Sequence, residues 1–336
     1  MRAWLLESPA PLETRPLRRV DLPDPVPGPD EILIRVEVCA LCRTDIHEAE
    51  GEIPLPVLPI VPGHQPVGRV SGRGERVKSF EVGDRVGLAW LHETCGACAD
   101  CRRGDENLCR SARFTGYHVH GGYAELVKAP AAFAYRLPNT MDDLHAAPLL
   151  CSGIIGYRAL RQGDVSRDET VGLYGFGSSA HIALQVAKGH NNRVFVVTRG
   201  EAHRELAREM GADWVGGPGE RPPEPMDRAI IFAPAGELIP DALSVVRWGG
   251  TVASAAIYMS PIPQMDYTEH LFGEKTLRST TASTRADGRE LMEAADELDL
   301  HTQVEVFSFE EANEGLLAIK QDRIQGSAVM RVSSGS

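Results

Sequence analysis

The 336-residue sequence predicts an α/β protein in two unlike parts: a β-rich part carrying a cysteine lobe, and a doubly wound parallel sheet. Three observations carry that expectation. Short strands broken by Gly/Pro turns fill roughly the first 140 residues. Strands and helices alternate through the middle of the chain, which calls for parallel strands joined by crossovers. Four of the seven cysteines crowd between Cys95 and Cys109.

The first strand signal is Ile32–Val38, after the turn-rich stretch PDPVPGPDE. Shorter ones follow at 66–70, 85–90 and 123–127, and no helical period is evident before 142–160. The texture then changes. Val171–Tyr174 is a short apolar strand ending in Gly175-Phe176-Gly177, with a helix expected from Ser178 to His190. Val194–Val197, a helix over 203–210 closed by Gly211, Ala229–Phe232, a helix near 240–247 and a strand over 251–257 repeat the alternation. A helix over 287–298, a strand at 304–307 and a last helix–strand pair end the chain. The closing residues SSGS, 333–336, enter no fold argument.

At 7 cysteines in 336 residues, a fifteen-residue window holds about 0.3 by chance. Cys95, Cys98, Cys101 and Cys109 therefore read as one zinc site. Zinc takes four thiolates tetrahedrally, and Cys-x-x-Cys steps let turns offer successive sulfurs to one centre. Four protein ligands leave no position for water or substrate, so this is a structural site.

Gly175-Phe176-Gly177-Ser178-Ser179-Ala180 fits G-x-G-x-x-G/A between a strand and a helix. The first Gly permits the tight turn, the second lets the backbone approach a pyrophosphate, and Ala180 lets helix and strand pack closely. Ser178 and Ser179 open the helix, whose free N–H groups suit phosphates. The next strand ends in Thr198-Arg199, with no acid before Glu201 and with Arg204 one turn on. An acid there would hold the ribose 2′-hydroxyl of NAD, whereas arginine suits a 2′-phosphate, so NADP(H) is favoured over NAD. A solvated loop role for Arg199 stays open.

Composition excludes some classes. The formal charge of −12 argues against nucleic acid or an anionic membrane as a partner. No apolar run is long enough to span a bilayer, and MRAWLLESPAP meets Glu7 and prolines too early for a secretory signal. Cysteines at metal spacings, rather than in a disulfide framework, suit a reducing cytoplasm.

Together these residues resemble the zinc-dependent alcohol dehydrogenases of the medium-chain dehydrogenase/reductase superfamily, over almost the whole chain, and most of all a bacterial primary-alcohol branch. The motifs are Cys42-Arg43-Thr44-Asp45-Ile46-His47, Pro62-Gly63-His64, Ala147-Pro148-Leu149-Leu150-Cys151, the Cys95/98/101/109 lobe and Gly121-Gly122-Tyr123-Ala124-Glu125. The resemblance implies a GroES-like catalytic domain over 1–151 and 284–336 and a Rossmann cofactor domain over 152–283. It implies a second, catalytic zinc held by Cys42, His64 and Cys151, making two per chain, and it alone joins those three. Cys151 in an apolar segment would otherwise read as a core thiol.

It further implies hydride transfer between an alcohol and NAD(P)+. Thr44 would take the alcohol proton and pass it on to His47; Asp45 would orient His64. Arg43 would contact the pyrophosphate, and Trp90 and Leu91 would line the substrate pocket. A homodimer or homotetramer, acting on a small alcohol or aldehyde, is expected. Two positions depart from the family pattern. Gln65 stands where a Glu often follows the ligand His, and Ser327 stands after Gly326 where some relatives carry a phosphate-binding Arg. The alternatives are a zinc-independent quinone or enoyl reductase of the superfamily and a non-catalytic NADPH-binding zinc protein. The intact Cys42/His64/Cys151 set opposes the first, and a Thr44–His47 relay has no purpose in the second.

Overall fold

A computed structural model describes residues 1–333, so all but the first of the closing SSGS lie outside the described residues. The chain forms two compact units. One comprises Met1–Cys151, Ala282–Asp296 and the chain from Thr302 on; the other comprises Ser152–Thr281 and Glu297–His301.

The first unit is built on the long strand Glu31–Leu41, whose alternation buries Ile32, Ile34, Val36 and Val38. It pairs antiparallel with Pro66–Arg73, with Leu126–Pro130 and with Ser327–Arg331 near the chain's end. Cys39, on this strand, is a core thiol, fully buried among aliphatic neighbours. The strand ends where Cys42 caps a helix, Arg43–Glu50. That helix corrects the expectation that none precedes 142. Its buried face carries Thr44, Asp45, His47 and Glu48 beside Ile46 and Ala49, so polar side chains hide the apolar period that marks a helix. The expected single helix over 142–160 is also divided. Asp143–Ala146 runs into a 3-10 turn, Ala147–Leu150, and a new helix starts at Ser152. Pro148, which has no N–H to give, lies in the turn, and Cys151 falls at the break.

The second unit has six strands, all parallel. Their order is Trp214–Gly216, Arg193–Val197, Thr170–Tyr174, Met226–Ile231, Val246–Ser254, Thr276–Ser279. The order reverses between Thr170–Tyr174 and Met226–Ile231, the topological switch point where such sheets bind ligands beyond their carboxyl ends. The expected helix 240–247 runs instead over Leu238–Val245, and the strand expected at 251–257 runs over Val246–Ser254. The helix Ser178–Gly189 packs on this sheet with Ala180, Ile182, Ala183, Leu184, Val186 and Ala187 buried.

Two core imidazoles make the fold sensitive to acid. Burial pushes His92 and His181 each down to about 4, with Arg113 adding to the effect at His92. Between pH 6.5 and 4 the unfolded chain therefore binds more protons than the folded one, and stability falls as pH falls through that window. Each histidine costs about 2 kcal/mol at pH 5. Urea midpoints measured at pH 7.5 and pH 5 check this: His181→Leu is expected to shrink the pH-dependent loss, and an equal loss in both proteins would contradict it.

Candidate metal centres and dinucleotide turn

The helix after Cys42 is positioned by its own first turn. The Cys42 sulfur accepts the Thr44 N–H at 3.5 Å and lies 3.6 Å from the Thr44 hydroxyl. Asp45 reaches back to accept the Cys42 N–H at 2.8 Å, completing a capping box. The same carboxylate accepts from His64 Nδ1 at 3.1 Å and from the Tyr123 hydroxyl at 2.8 Å. Asp45 thus ties Cys42 to the His64 ring. Gly63 makes this possible: its φ is +90°, and a Cβ there would lie 2.2 Å from the Tyr123 ring.

Cys42, His64 and Cys151 offer ligand atoms that all lie within 4.8 Å of one another. The two sulfurs are 3.8 Å apart, close to the edge of about 3.8 Å that a tetrahedron with Zn–S of about 2.3 Å requires. His64 Nδ1 is committed to Asp45, and its buried Nε2 has no hydrogen-bond partner among the described residues. An imidazole turned this way has one nitrogen to give to a metal. The hydrogen bond from Cys151 holds the Cys42 thiol well below its ordinary range, with His64 adding to the effect against burial; Cys151 as donor is pushed up. Burial opposes a charged His64, but Asp45 and Cys42 outweigh it and raise its pKa. Two thiols and an imidazole sharing protons in a buried site fit a zinc ion, which would take the place of those protons.

Cys95, Cys98, Cys101 and Cys109 form a second set with sulfurs within 4.8 Å of one another. Backbone N–H groups of Cys98 and Cys101 point at the sulfurs of Cys95 and Cys98, at 3.3 and 3.5 Å. N–H donors of Ala97 and Cys98 bring the Cys95 thiol down to about 6, whereas burial pushes Cys101 up to about 11. The lobe is pinned to its unit by Glu106, which pairs with Arg285 at 2.6 Å; the Arg285 guanidinium lies over the Phe133 ring.

The other expected residues are placed as follows. His47 Nδ1 is hydrogen bonded to Glu52, a half-exposed carboxylate that the sequence reading missed. Arg43 is half exposed and donates to the Ile319 carbonyl at 3.3 Å. The Trp90 ring stands 6.4 Å from that of His64 and stacks on Phe114 at 4.2 Å; Leu91 is buried on the short strand Leu91–Glu93. The Gly-Gly-Tyr block marked Tyr123, whereas nothing in the pattern distinguished Glu52 from a solvated carboxylate.

At the Gly-rich turn Gly175 has φ +87°, and a Cβ there would crowd Ala233. A Cβ on Gly177 would meet no atom within 4 Å, which leaves room for a phosphate against the backbone. Gly177 caps the helix with no side-chain hydrogen bond, and the first N–H groups of a helix have no partner within it. The Ser178 hydroxyl also lies 2.6 Å from that of Ser152. Thr198 accepts the Phe176 N–H at 3.2 Å and so steadies the turn from the next strand. Arg199 is exposed beyond it, and Arg204 pairs with Glu201 at 2.9 Å.

Two thiol-rich donor sets and an uncapped, Gly-rich helix start are the equipment of a metal- and dinucleotide-dependent dehydrogenase. Known proteins bear this out. Residues 28–139 match the model of the alcohol dehydrogenase GroES-like domain, and residues 180–297 match that of the zinc-binding dehydrogenases. A Mycobacterium tuberculosis protein described as "Probable alcohol dehydrogenase AdhA" is 43% identical over 99% of this chain and 97% of its own length. An alcohol dehydrogenase of Geobacillus stearothermophilus is 35% identical over 90% of this chain and 91% of its own. A crystal structure of an NAD-dependent alcohol dehydrogenase superposes with a TM-score of 0.89, at 25% identity, over 99% of this chain and all of the other. The chain belongs to the zinc-binding alcohol dehydrogenase family of the medium-chain superfamily.

Tyr123→Phe isolates the orienting role of Asp45, because it removes one hydrogen bond and keeps the ring. A 10- to 100-fold loss of zinc affinity at the three-donor site is expected, as is usual for partners of metal-bound histidines. Competition with a chelator measures it, and an unchanged affinity would show that Asp45 needs no lock.

Proposed function

We propose that this chain is a zinc-dependent alcohol dehydrogenase that exchanges hydride between a primary or secondary alcohol and NAD(P)+, and reduces the aldehyde or ketone in reverse. The observation that carries the reading is the meeting of Cys42, His64 and Cys151 within 4.8 Å, from positions as much as 109 residues apart. Three protein donors leave the fourth tetrahedral position for a substrate oxygen, unlike the four-cysteine set. A zinc ion held there would supply a Lewis acid for the alcohol oxygen, and a nicotinamide cofactor would supply the hydride acceptor.

The chain's own residues do the rest. The Thr44 hydroxyl, beside the Cys42 sulfur, is positioned to take the alcohol proton. His47 receives it and, through its hydrogen bond to half-exposed Glu52, stands next to bulk water. Asp45 and Tyr123 hold His64 in the tautomer that presents Nε2. Trp90 covers the His64 side of the site. Cys95, Cys98, Cys101 and Cys109 hold the structural ion.

Gly175, Gly177, Ser178 and Ser179 take the pyrophosphate of the cofactor. Arg199 and Arg204 favour a 2′-phosphate, hence NADP(H); Glu201 lies between two arginines, Arg204 and Arg208, and is not free to hold a ribose hydroxyl. Arg199→Asp is expected to shift the NADP/NAD ratio of kcat/KM towards NAD by about tenfold or more. An unaltered ratio would show that Arg199 does not read the 2′ position.

A homodimer or homotetramer is supported by the outer strand Thr276–Ser279, the end of its sheet. On the neighbouring strand and the turn before the outer strand, Trp248, Tyr267 and Phe272 are exposed, the Phe272 ring meeting the other two edge-on. Cysteines that are all free thiols suit a reducing cytoplasm. The deciding experiment joins metal analysis to turnover. About two zinc per chain with alcohol-dependent NAD(P) reduction is expected; one zinc and no turnover would favour a non-catalytic protein.

A further inference from the structure

The helix Arg43–Glu50 ends on Gly51, whose φ of +78° is left-handed. The chain turns back there. The Gly51 N–H reaches the Glu48 carbonyl at 3.2 Å, and the Ile53 N–H reaches that of His47 at 3.2 Å. This return brings Glu52 against the last turn of the helix, where its carboxylate is hydrogen bonded to His47 Nδ1. The turn is also held from outside. A Cβ on Gly51 would lie 3.1 Å from Pro9, and the Tyr117 hydroxyl donates to the Pro54 carbonyl at 2.8 Å. The His47 side chain is 11% exposed and that of Glu52 46%. Exposed pairs contribute little where both side chains are free to move; here the backbone on either side of Glu52 is fixed, and the ring it meets is buried.

We infer that Glu52 is a positioning residue for proton transfer: it fixes His47 in the tautomer that carries its proton on Nδ1 and keeps the Nε2 lone pair for the proton arriving from Thr44. This rests on the dehydrogenase reading above. A carboxylate only accepts, so Nδ1 is the donor in the pair, and a neutral imidazole with its one proton on Nδ1 has an acceptor at Nε2. Left to water, a neutral histidine favours the proton on Nε2, the form that can take no proton there. Asp45 does the same for His64, whose Nδ1 it holds at 3.1 Å; at His47 the nitrogen left over faces a proton instead of a metal. In each turnover the alcohol O–H bond breaks, an N–H bond forms at His47 Nε2 by way of the Thr44 hydroxyl, and the hydride goes to NAD(P)+. The ring then gives a proton to water at its Glu52 edge.

The test is a double-mutant cycle with a spectroscopic arm, in zinc-loaded protein: wild type, Glu52→Ala, His47→Gln and the pair. Single-turnover NAD(P)H formation from 1-propanol is expected to fall about tenfold in Glu52→Ala, part of the about 10²- to 10⁴-fold that a positioned proton acceptor supplies. In the His47→Gln background Glu52→Ala should cost nothing further, because Glu52 acts only through that ring. Nitrogen-15 spectra of histidine-labelled protein, with His47 assigned by its loss in His47→Gln, should show the proton on Nδ1 in the wild type and a move to Nε2 in Glu52→Ala. With the wild type active, a rate or a tautomer that Glu52→Ala leaves unchanged overturns the inference alone. So does a loss of equal size in the His47→Gln background, which would mark Glu52 as merely structural. No NAD(P)H from the wild type overturns the dehydrogenase reading, and the inference with it.

Discussion

Cys42→Ala is expected to lower alcohol-dependent NAD(P)H formation by more than about a thousandfold, equivalent to at least about 4 kcal/mol of transition-state stabilisation. The physical reason is the loss of one of only three protein donors. His64 and Cys151 alone make a poor zinc site, and the buried space loses the Lewis acid on which proton removal depends. The substitution also removes the sulfur that accepts the Thr44 N–H, so Thr44 loses its anchor. Zinc content should fall from about two to about one per chain, with cofactor binding largely kept, because the Gly-rich turn belongs to the other unit. Stopped assays with saturating NADP and metal analysis on the same sample check this. A variant that keeps full activity would defeat the ligand assignment.

Cys98→Ser is expected to act on folding. The helix it caps, Ala99–Arg103, has no buried residue, so the lobe has little core of its own. On the proposed reading an ion shared by Cys95, Cys98, Cys101 and Cys109 closes it, and structural zinc in model peptides binds with about 10–16 kcal/mol. Loss of one thiolate should lower the unfolding temperature by about 10 °C or more. Part of the lobe's docking survives through Glu106 and Arg285. Calorimetry measures the shift, and an unchanged transition would mean that the four sulfurs carry no load in folding.

The features most legible in the sequence are those in which chemistry and spacing are local. The Cys95–Cys109 window and the Gly175–Ala180 turn were each readable from residues within a few positions of one another. The parallel sheet was readable because its strands are short apolar runs divided by helices of regular period. The helix Arg43–Glu50 was not, because the residues on its buried face are Thr44, Asp45, His47 and Glu48. Thr44 lies against the Cys42 sulfur, Asp45 accepts from His64 and His47 bonds Glu52, and a polar inward face cancels the periodic signal. The break at Cys151 was similarly hidden, since Pro148 starts a new turn as easily as it ends a helix.

Side-chain type and local spacing alone thus determine the lobe, the dinucleotide turn and the alternation that makes the middle sheet parallel, because each needs only neighbours along the chain. The three-donor site is decided by tertiary structure. Cys42, His64 and Cys151 come together because one strand ends in a helix, Gly63 lets Tyr123 close on Asp45, and a broken helix presents the last sulfur. The partners of those side chains depend on distances between remote segments, which no spacing in the sequence encodes.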